Sequence, residues 1–321
     1  MKFDVVCLGD SKIDAFLNIK GESLYARVNR ETNELCVKYG EKIPIDDSFF
    51  LLGGNACNVS VGLARLGLKS ALMAEIGDDE FSQKIIRGLK KENVSEDLIR
   101  QNVDSASSFS MIVSFDKERT IFSQHVQRSH NFPFDNFTAD WMYITSLGNK
   151  WESAYKRATD FAKRNNIRIG FNPGTLQIDA GQNAIMDVLE IADILFVNKE
   201  EAEKITNYKL QITNYKDGNE EIKTLLGNLQ RLGPKTVVIT DGKNGSYATT
   251  NDGKVYYNEA IHEEVVENTG AGDAYSTGFM GAVIMGKSIK EAIEWGAKNA
   301  SSVIQHYGAQ KGLLNIKEIN F

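Results

Sequence analysis

The sequence has no excess of basic charge: 37 Lys+Arg against 43 Asp+Glu leave a formal net charge of −6. That excludes a nucleic-acid binder that depends on a basic surface, but not a small anion held by local dipoles. Cysteine is scarce, at positions 7, 36 and 57, with no C-x-x-C spacing. Neither a zinc site nor a disulfide framework follows, and a reducing compartment suits the count. No apolar run approaches membrane-spanning length. The opening MKFDVVCLGD carries an acid at position 4 and too short an apolar run for a signal peptide. A dinucleotide fingerprint is also missing, because the first apolar run exits through GDSKID and not G-x-G-x-x-G. The expectation left standing is a cytoplasmic enzyme acting on a small molecule, with no nucleic-acid or membrane partner.

Short β-branched or apolar runs alternate with helical patterns along the 321 residues. Core strands are expected at Asp4–Gly9, Ser70–Ile76, Trp141–Ser146, Ile167–Asn172, Ile191–Val197 and Thr236–Thr240, with amphipathic segments such as Trp151–Asn165, Gln182–Leu189 and Glu220–Leu232 between them. Alternation of this kind indicates βαβ units, hence an α/β fold around a mainly parallel sheet. Ligands bind outside the carboxyl ends of such strands, and the ends here read Asp10, Asp78, Ser146, Asn172, Asn198 and Asp241. Two segments break the alternation. Residues 13–45 show strand-like patterns without a good helix, and 107–126 read as a hairpin turning at Asp116–Arg119. Together they predict a small accessory sheet, a lid beside the crevice, whose exposed face can pair two subunits into a homodimer. A tandem ITNYK at 205–209 and 212–216 reads as surface elaboration.

Two glycine-rich stretches compete as a phosphate cradle. GAVIMGKS (281–288) fits G-x-x-x-x-G-K-[ST], but its context is wrong. Tyr275, Phe279, Ala282 and Val283 fall at helical spacing, Gly286 sits where a C-terminal αL glycine belongs, and Ser288 with Glu291 forms a capping box. The match spans the end of one helix and the start of the next. NTGAGD (268–273) instead follows a β-like run, Glu263–Val266, and opens a helix. The backbone of Gly270, Ala271 and Gly272 is then an anion hole at the positive end of a helix dipole. Asp273 at its edge is placed to take a proton from an attacking hydroxyl.

GGNACNVSVGLARLG (53–67), EIGDDEF (75–81) and NTGAGDAYSTGF (268–279) resemble the two signatures of the ribokinase/PfkB family of carbohydrate and nucleoside kinases, over nearly the whole chain. The resemblance implies one ribokinase-like domain over 1–321, a three-layer α/β/α Rossmann-like fold whose lid is built from insertions at about 13–45 and 107–126. It implies transfer of the γ-phosphoryl of ATP to a hydroxymethyl group, with Asp273 as base and Gly270, Ala271 and Gly272 as anion hole. Asp14 resembles the family's acceptor for substrate hydroxyls, with Asp10 beside it, and Gly54, Asn55 and Asn58 match its substrate-contacting part. Asn198 and Glu201 resemble the N-x-x-E element that acts on hydrated Mg²⁺, and Thr240, Gly242 and Gly245 the turn bordering ATP.

The family's monovalent-cation site, holding K⁺ in ribokinase-like members, aligns near Glu267, Thr269, Val303 and Gly308. Here Glu267-Asn268 replaces Asp-Thr, which weakens the expectation of K⁺. Lys12, Gly148 and Asn55 also depart from the ribose kinases, so ribose itself is disfavoured. Lys12, His125 and Arg128 are read either as surface residues or as contacts for a phosphorylated sugar. A nucleoside kinase is the nearest alternative, with Phe16, Phe109, Met111 and Phe122 offered as a base slot or as lid core. A non-catalytic ligand sensor is the reading from another class.

Overall fold

The structure is a computed structural model describing residues 1–19, 24–115, 118–209 and 220–320. An eight-stranded sheet runs in the order 255–258, 246–249, 236–240, 194–198, 168–172, 138–145, 2–8, 70–73. The first two strands pair antiparallel and the rest parallel. All six expected core strands exist, with ends shifted by a few residues. The Ser70–Ile76 run divides: Ser70–Met73 joins the main sheet, whereas Glu75–Ile76 pairs with Arg100–Gln101.

Helices cover both faces of the sheet, because its central strands are apolar on both sides. One core gathers Met142, Ile144, Phe171 and Leu195 with the helices Glu152–Asn165 and Glu220–Gln230. The other gathers Cys7, Tyr143, Phe196 and Val238 with Asn55–Arg65, Ala271–Ile284 and Ile289–Val303. The Gln182–Leu189 segment forms a 3₁₀ turn, Gln182–Ile185, followed by one helical turn. This is the three-layer α/β/α arrangement.

The small sheet has four strands in the order 118–124, 109–115, 12–18, 47–53. Asp47–Gly53, a run of SFFLL, lies beyond the boundary expected at residue 45 and supplies an edge strand. Among the described residues, Ala26–Asn29 and Glu34–Val37 pair only with each other. The sheet packs through Phe16, which stacks on Phe49 at 5.0 Å, and both rings meet Tyr307. Residues 116–117 of the expected hairpin turn, and the whole second ITNYK copy, lie outside the described residues.

The glycine-lysine stretch 281–288 has the expected context. The helix ends at Ile284, Gly286 has φ 77°, and Ser288 and Glu291 form a reciprocal capping box. Lys287 Nζ lies 3.2 Å from Glu291 and above the Trp295 ring. One local expectation fails. Glu263–Val266 is not a strand but an extended loop, since the amides of Val266 and Glu267 donate to the Ile304 carbonyl and not to a sheet neighbour.

Candidate active site

Strand order reverses between Lys2–Leu8 and Thr138–Thr145, from which the sheet grows in opposite directions. The crevice at such a switch point is where open α/β sheets take ligands. Asp10 and Ser146 sit on its lips, joined by the Asp10 amide donating to the Ser146 carbonyl at 3.1 Å. A cavity of about 400 Å³ opens there, lined by Asp10, Lys12, Gly54, Asn55, His125 and Gln177 among others. A second, of about 240 Å³, shares Asn55 with it and reaches Asn172, Asn198, Glu201, Thr240, the Gly270–Asp273 turn and Ser276. A third, of about 580 Å³, shares Thr240, Asn268, Ala271, Gly272 and Tyr275 with the second. The three form one trough across the carboxyl edge of the sheet, with Asp273 lining its middle section.

Close packing of two helices sets Asp273. Gly62 lets Asn55–Arg65 approach Ala271–Ile284 so closely that a Cβ at 62 would lie 2.4 Å from the Thr277 methyl. One turn back on each helix are Asn58 and Asp273, since residues four apart share a helix face. Asn58 Nδ2 donates to Asp273 Oδ2 at 2.8 Å, and Gln310 Nε2 donates to Asn58 Oδ1 at 3.0 Å. The amide is thereby oriented to donate, and the carboxylate is held in one rotamer. Burial pushes the Asp273 carboxyl up to about 7; Asn58 and the positive charge of Lys12 pull it down, and Asp14 and Glu201 push it further up.

Gly270 caps this helix at φ 80°, and a Cβ there would lie 2.2 Å from that of Ala309, so only glycine fits. Ala271 N donates to Asn268 O at 3.3 Å and Ala274 N to Gly270 O at 2.8 Å. Among the described residues, the amides of Gly272 and Asp273 have no backbone acceptor. Gly272 faces open space, so an anion can approach the helix mouth.

Lys12 is half-buried and lines the first cavity. It is the cation felt by Asp10, Asp14 and Asp273 alike. Burial raises Asp10 to about 6 and also raises Asp14, which Lys12 and the Ser110 hydroxyl partly offset. Gly53 pairs with Lys12 in the small sheet, diagonal to Asp14, and a Cβ there would run into the Asp14 carboxylate. Gly54, at φ 95°, packs its backbone on Asp10 and opens the helix whose first residue, Asn55, lines both cavities. Arg128 corrects the expectation of a surface residue or phosphate contact: it is buried and donates to Ser105 Oγ at 2.7 Å and to the Ala106 carbonyl. His125 lines the first cavity, and burial lowers its pKa.

Asn198 and Glu201 form a reciprocal capping box, the Asn198 amide donating to Glu201 Oε2 at 2.9 Å. Glu201 is not the solvated start of a helix, since burial raises its pKa. Thr240, Gly242 and Gly245 border the third cavity, Gly245 at φ 91° passing tightly against the Asn258 carbonyl. Asp78 and Asp241 leave the trough. Asp78 accepts from the amides of Asp104 and Ser105, and Asp241 accepts from Asn244.

Phe16 and Phe109 are committed to packing, Phe16 fully buried on Phe49 and Phe109 stacked on Phe81 at 5.4 Å. Gln310, Gln177 and Arg119 were not foreseen. Gln177 donates to the Leu147 carbonyl at 2.8 Å while its Oε1 is buried without a partner at the first cavity. Only the fold brings these three to the site, and no local pattern marks them.

A three-layer α/β/α core, a small sheet beside the switch-point crevice and a glycine-opened helix mouth define a ribokinase-like protein. The chain belongs to the pfkB family of carbohydrate kinases, whose family model matches residues 7–316. It is a phosphotransferase acting on a sugar-like substrate. It is 26% identical over 288 residues to 5-dehydro-2-deoxygluconokinase of Halalkalibacterium halodurans, covering 84% of each chain. The nucleoside kinase of Methanocaldococcus jannaschii superposes with a TM-score of 0.77 at 21% identity, covering 99% of this chain and 96% of that one. Arabidopsis thaliana ribokinase, complexed with ribose and ATP, also gives 0.77 at 20% identity, covering 100% and 98%. No helix among the described residues is long and apolar enough to cross a membrane.

Proposed function

We propose that this chain transfers the γ-phosphoryl group of ATP to a hydroxymethyl group of a sugar or sugar-like alcohol, with Asp273 as general base. The observation that carries the reading is a buried carboxylate of raised pKa at a helix mouth, midway along a continuous trough. The acceptor lies at the switch-point cavity lined by Asp10 and Asn55, its hydroxyls donating hydrogen bonds to Asp10 and to the neighbouring Asp14, with Asn55 and Asn58 fixing its orientation. ATP lies along Thr240, Gly242 and Gly245, its terminal phosphate against the amides of the Gly270–Asp273 turn. The acceptor hydroxyl loses its proton to Asp273 as its oxygen attacks in line, and the turn spreads the charge of the moving group. A half-buried carboxylate such as Glu201, with one oxygen tied to a backbone amide, fits Mg²⁺ held mainly by phosphate oxygens and reached through water. When bound, that ion supplies further screening of phosphate charge.

The relatives differ in acceptor: a sugar acid in one name, a nucleoside in another, ribose in a third. The sugar reading is favoured over the nucleoside one because Phe16 and Phe109 are spent on packing and Phe122 is mostly exposed, so no aromatic slot is built from them. ADP release should be screened with ribose, fructose, fructose phosphates, 2-keto-3-deoxygluconate, adenosine, inosine and cytidine. A response confined to nucleosides would reverse the choice, and ligand-induced stabilisation without phosphorylated product would point to a sensor. With the responding acceptor, Asp273→Asn should retain nucleotide binding and lose at least about a hundredfold in kcat. Near-normal turnover would remove Asp273 from its role.

A further inference from the structure

Glu267, three residues before the helix-capping Gly270, is a buried carboxylate with its side chain only 5% exposed. Its Oε1 accepts from Thr269 N at 2.9 Å and its Oε2 from Gly308 N at 3.2 Å, so it clamps the loop entering the helix mouth to the segment after Ile289–Val303. Its counter-charge comes from neither element. Arg119, on the edge strand Glu118–Gln124 of the small sheet, places Nη1 3.2 Å from Oε1. The carbonyls nearby are also engaged, Val303 accepting from His306 N and Ile304 from Val266 N and Glu267 N. A monovalent cation needs oxygen ligands free to face it. Here the carboxylate oxygens and these two carbonyls already face N–H donors, and a guanidinium supplies the charge. Among the described residues of this site the Thr269 hydroxyl is buried without a partner, and one such oxygen beside a guanidinium is too few to fit K⁺.

We infer that Arg119 is this protein's built-in cation, a positioning residue that holds the loop before the anion hole through Glu267 and makes turnover indifferent to K⁺. The pair also ties the small sheet to the helix mouth. Swinging the sheet away would withdraw the guanidinium and leave a buried charge uncompensated, which is strongly unfavourable. Closure of the sheet over the crevice and ordering of the Glu267–Gly270 loop are thus one event. The effect on the reaction rests on the proposed function, whereas the cation assignment does not.

The test compares wild type, Arg119→Ala and Arg119→Lys in chloride salts of K⁺, Na⁺ and tetramethylammonium at matched ionic strength. Wild type should show the same kcat and the same Tm in all three. Arg119→Ala should lose about tenfold or more in kcat, as expected when one partner of a largely buried pair is removed. Added guanidinium should recover part of that loss, and Arg119→Lys should retain more than the alanine variant. A K⁺-specific rise in wild-type Tm or kcat overturns the inference, as does an alanine variant that is unimpaired or whose loss guanidinium does not relieve. If the alanine variant does not fold, the lysine variant and the wild-type salt series decide. If no alcohol is phosphorylated at all, the proposed function fails, and the Tm series still decides the cation assignment.

Discussion

In the proposed role, Asp273 has to meet two demands that conflict in water: it must be deprotonated to take a proton, and basic enough to want one. Burial meets both by raising its pKa to about 7, while Asn58 and Lys12 stop it rising further. The sign of the pH dependence follows. Below that value the carboxyl is protonated in the free enzyme, so kcat/KM should fall about tenfold per pH unit on the acid side and level off above it. A profile flat down to the ordinary carboxylate range would show that no raised acid controls the step. Asn58→Ala removes the hydrogen bond that holds the charged form, so its acid limb should move to higher pH. That shift separates an electrostatic role for Asn58 from simple packing.

At the scale of elements, two glycine-rich turns border one helix and, among the described residues, only the first leaves amide donors without an acceptor. Gly270 opens Ala271–Ile284 with its first-turn amides facing the trough, whereas Gly286 closes it and hands the chain to a capping box. Lys287 is occupied by Glu291 and the Trp295 ring. Lys287→Ala should therefore leave the KM for ATP within about twofold, an interaction absent from the site having nothing to lose. Ser288→Ala should leave kinetics alone and lower stability by about 1 kcal/mol, the usual cost of an N-cap, read from denaturant unfolding. A large rise in KM for Lys287→Ala would restore the P-loop reading. Both helix ends were legible in sequence because caps are local; the Glu263–Val266 strand was misread because β-pairing depends on a neighbour the local pattern does not reveal.

For the whole molecule, the site is a store of unfavourable electrostatics. Asp10 and Asp273 are raised to about 6 and about 7, both chiefly by burial. Between the ordinary carboxylate range and those values the folded state holds protons the unfolded chain has released, so stability falls as pH rises through the window. Without ligand, Tm should drop between about pH 4 and pH 7, and Asp273→Asn should drop less, because its share of the cost is gone. A variant whose Tm tracks wild type across that range would show that Asp273 is not strained in the folded protein.

The sequence by itself determined the alternation of strands and helices, the choice of NTGAGD over GAVIMGKS, and the residues that open and close the central helix. These are local facts, written in periodicity, caps and glycine positions. Asp10 and Asn198 could be named because ligands gather where parallel strands end, and Gly270 because a helix begins there, whereas Asn55 and Thr240 came from the resemblance to the family's motifs. Only the tertiary structure decided that Asn58 faces Asp273, that Gln310 orients Asn58, that Arg128 serves a loop, and that Arg119 neutralises Glu267. Each of those pairs is far apart in the chain and is joined by helix or sheet packing, which a single sequence does not encode at any one place.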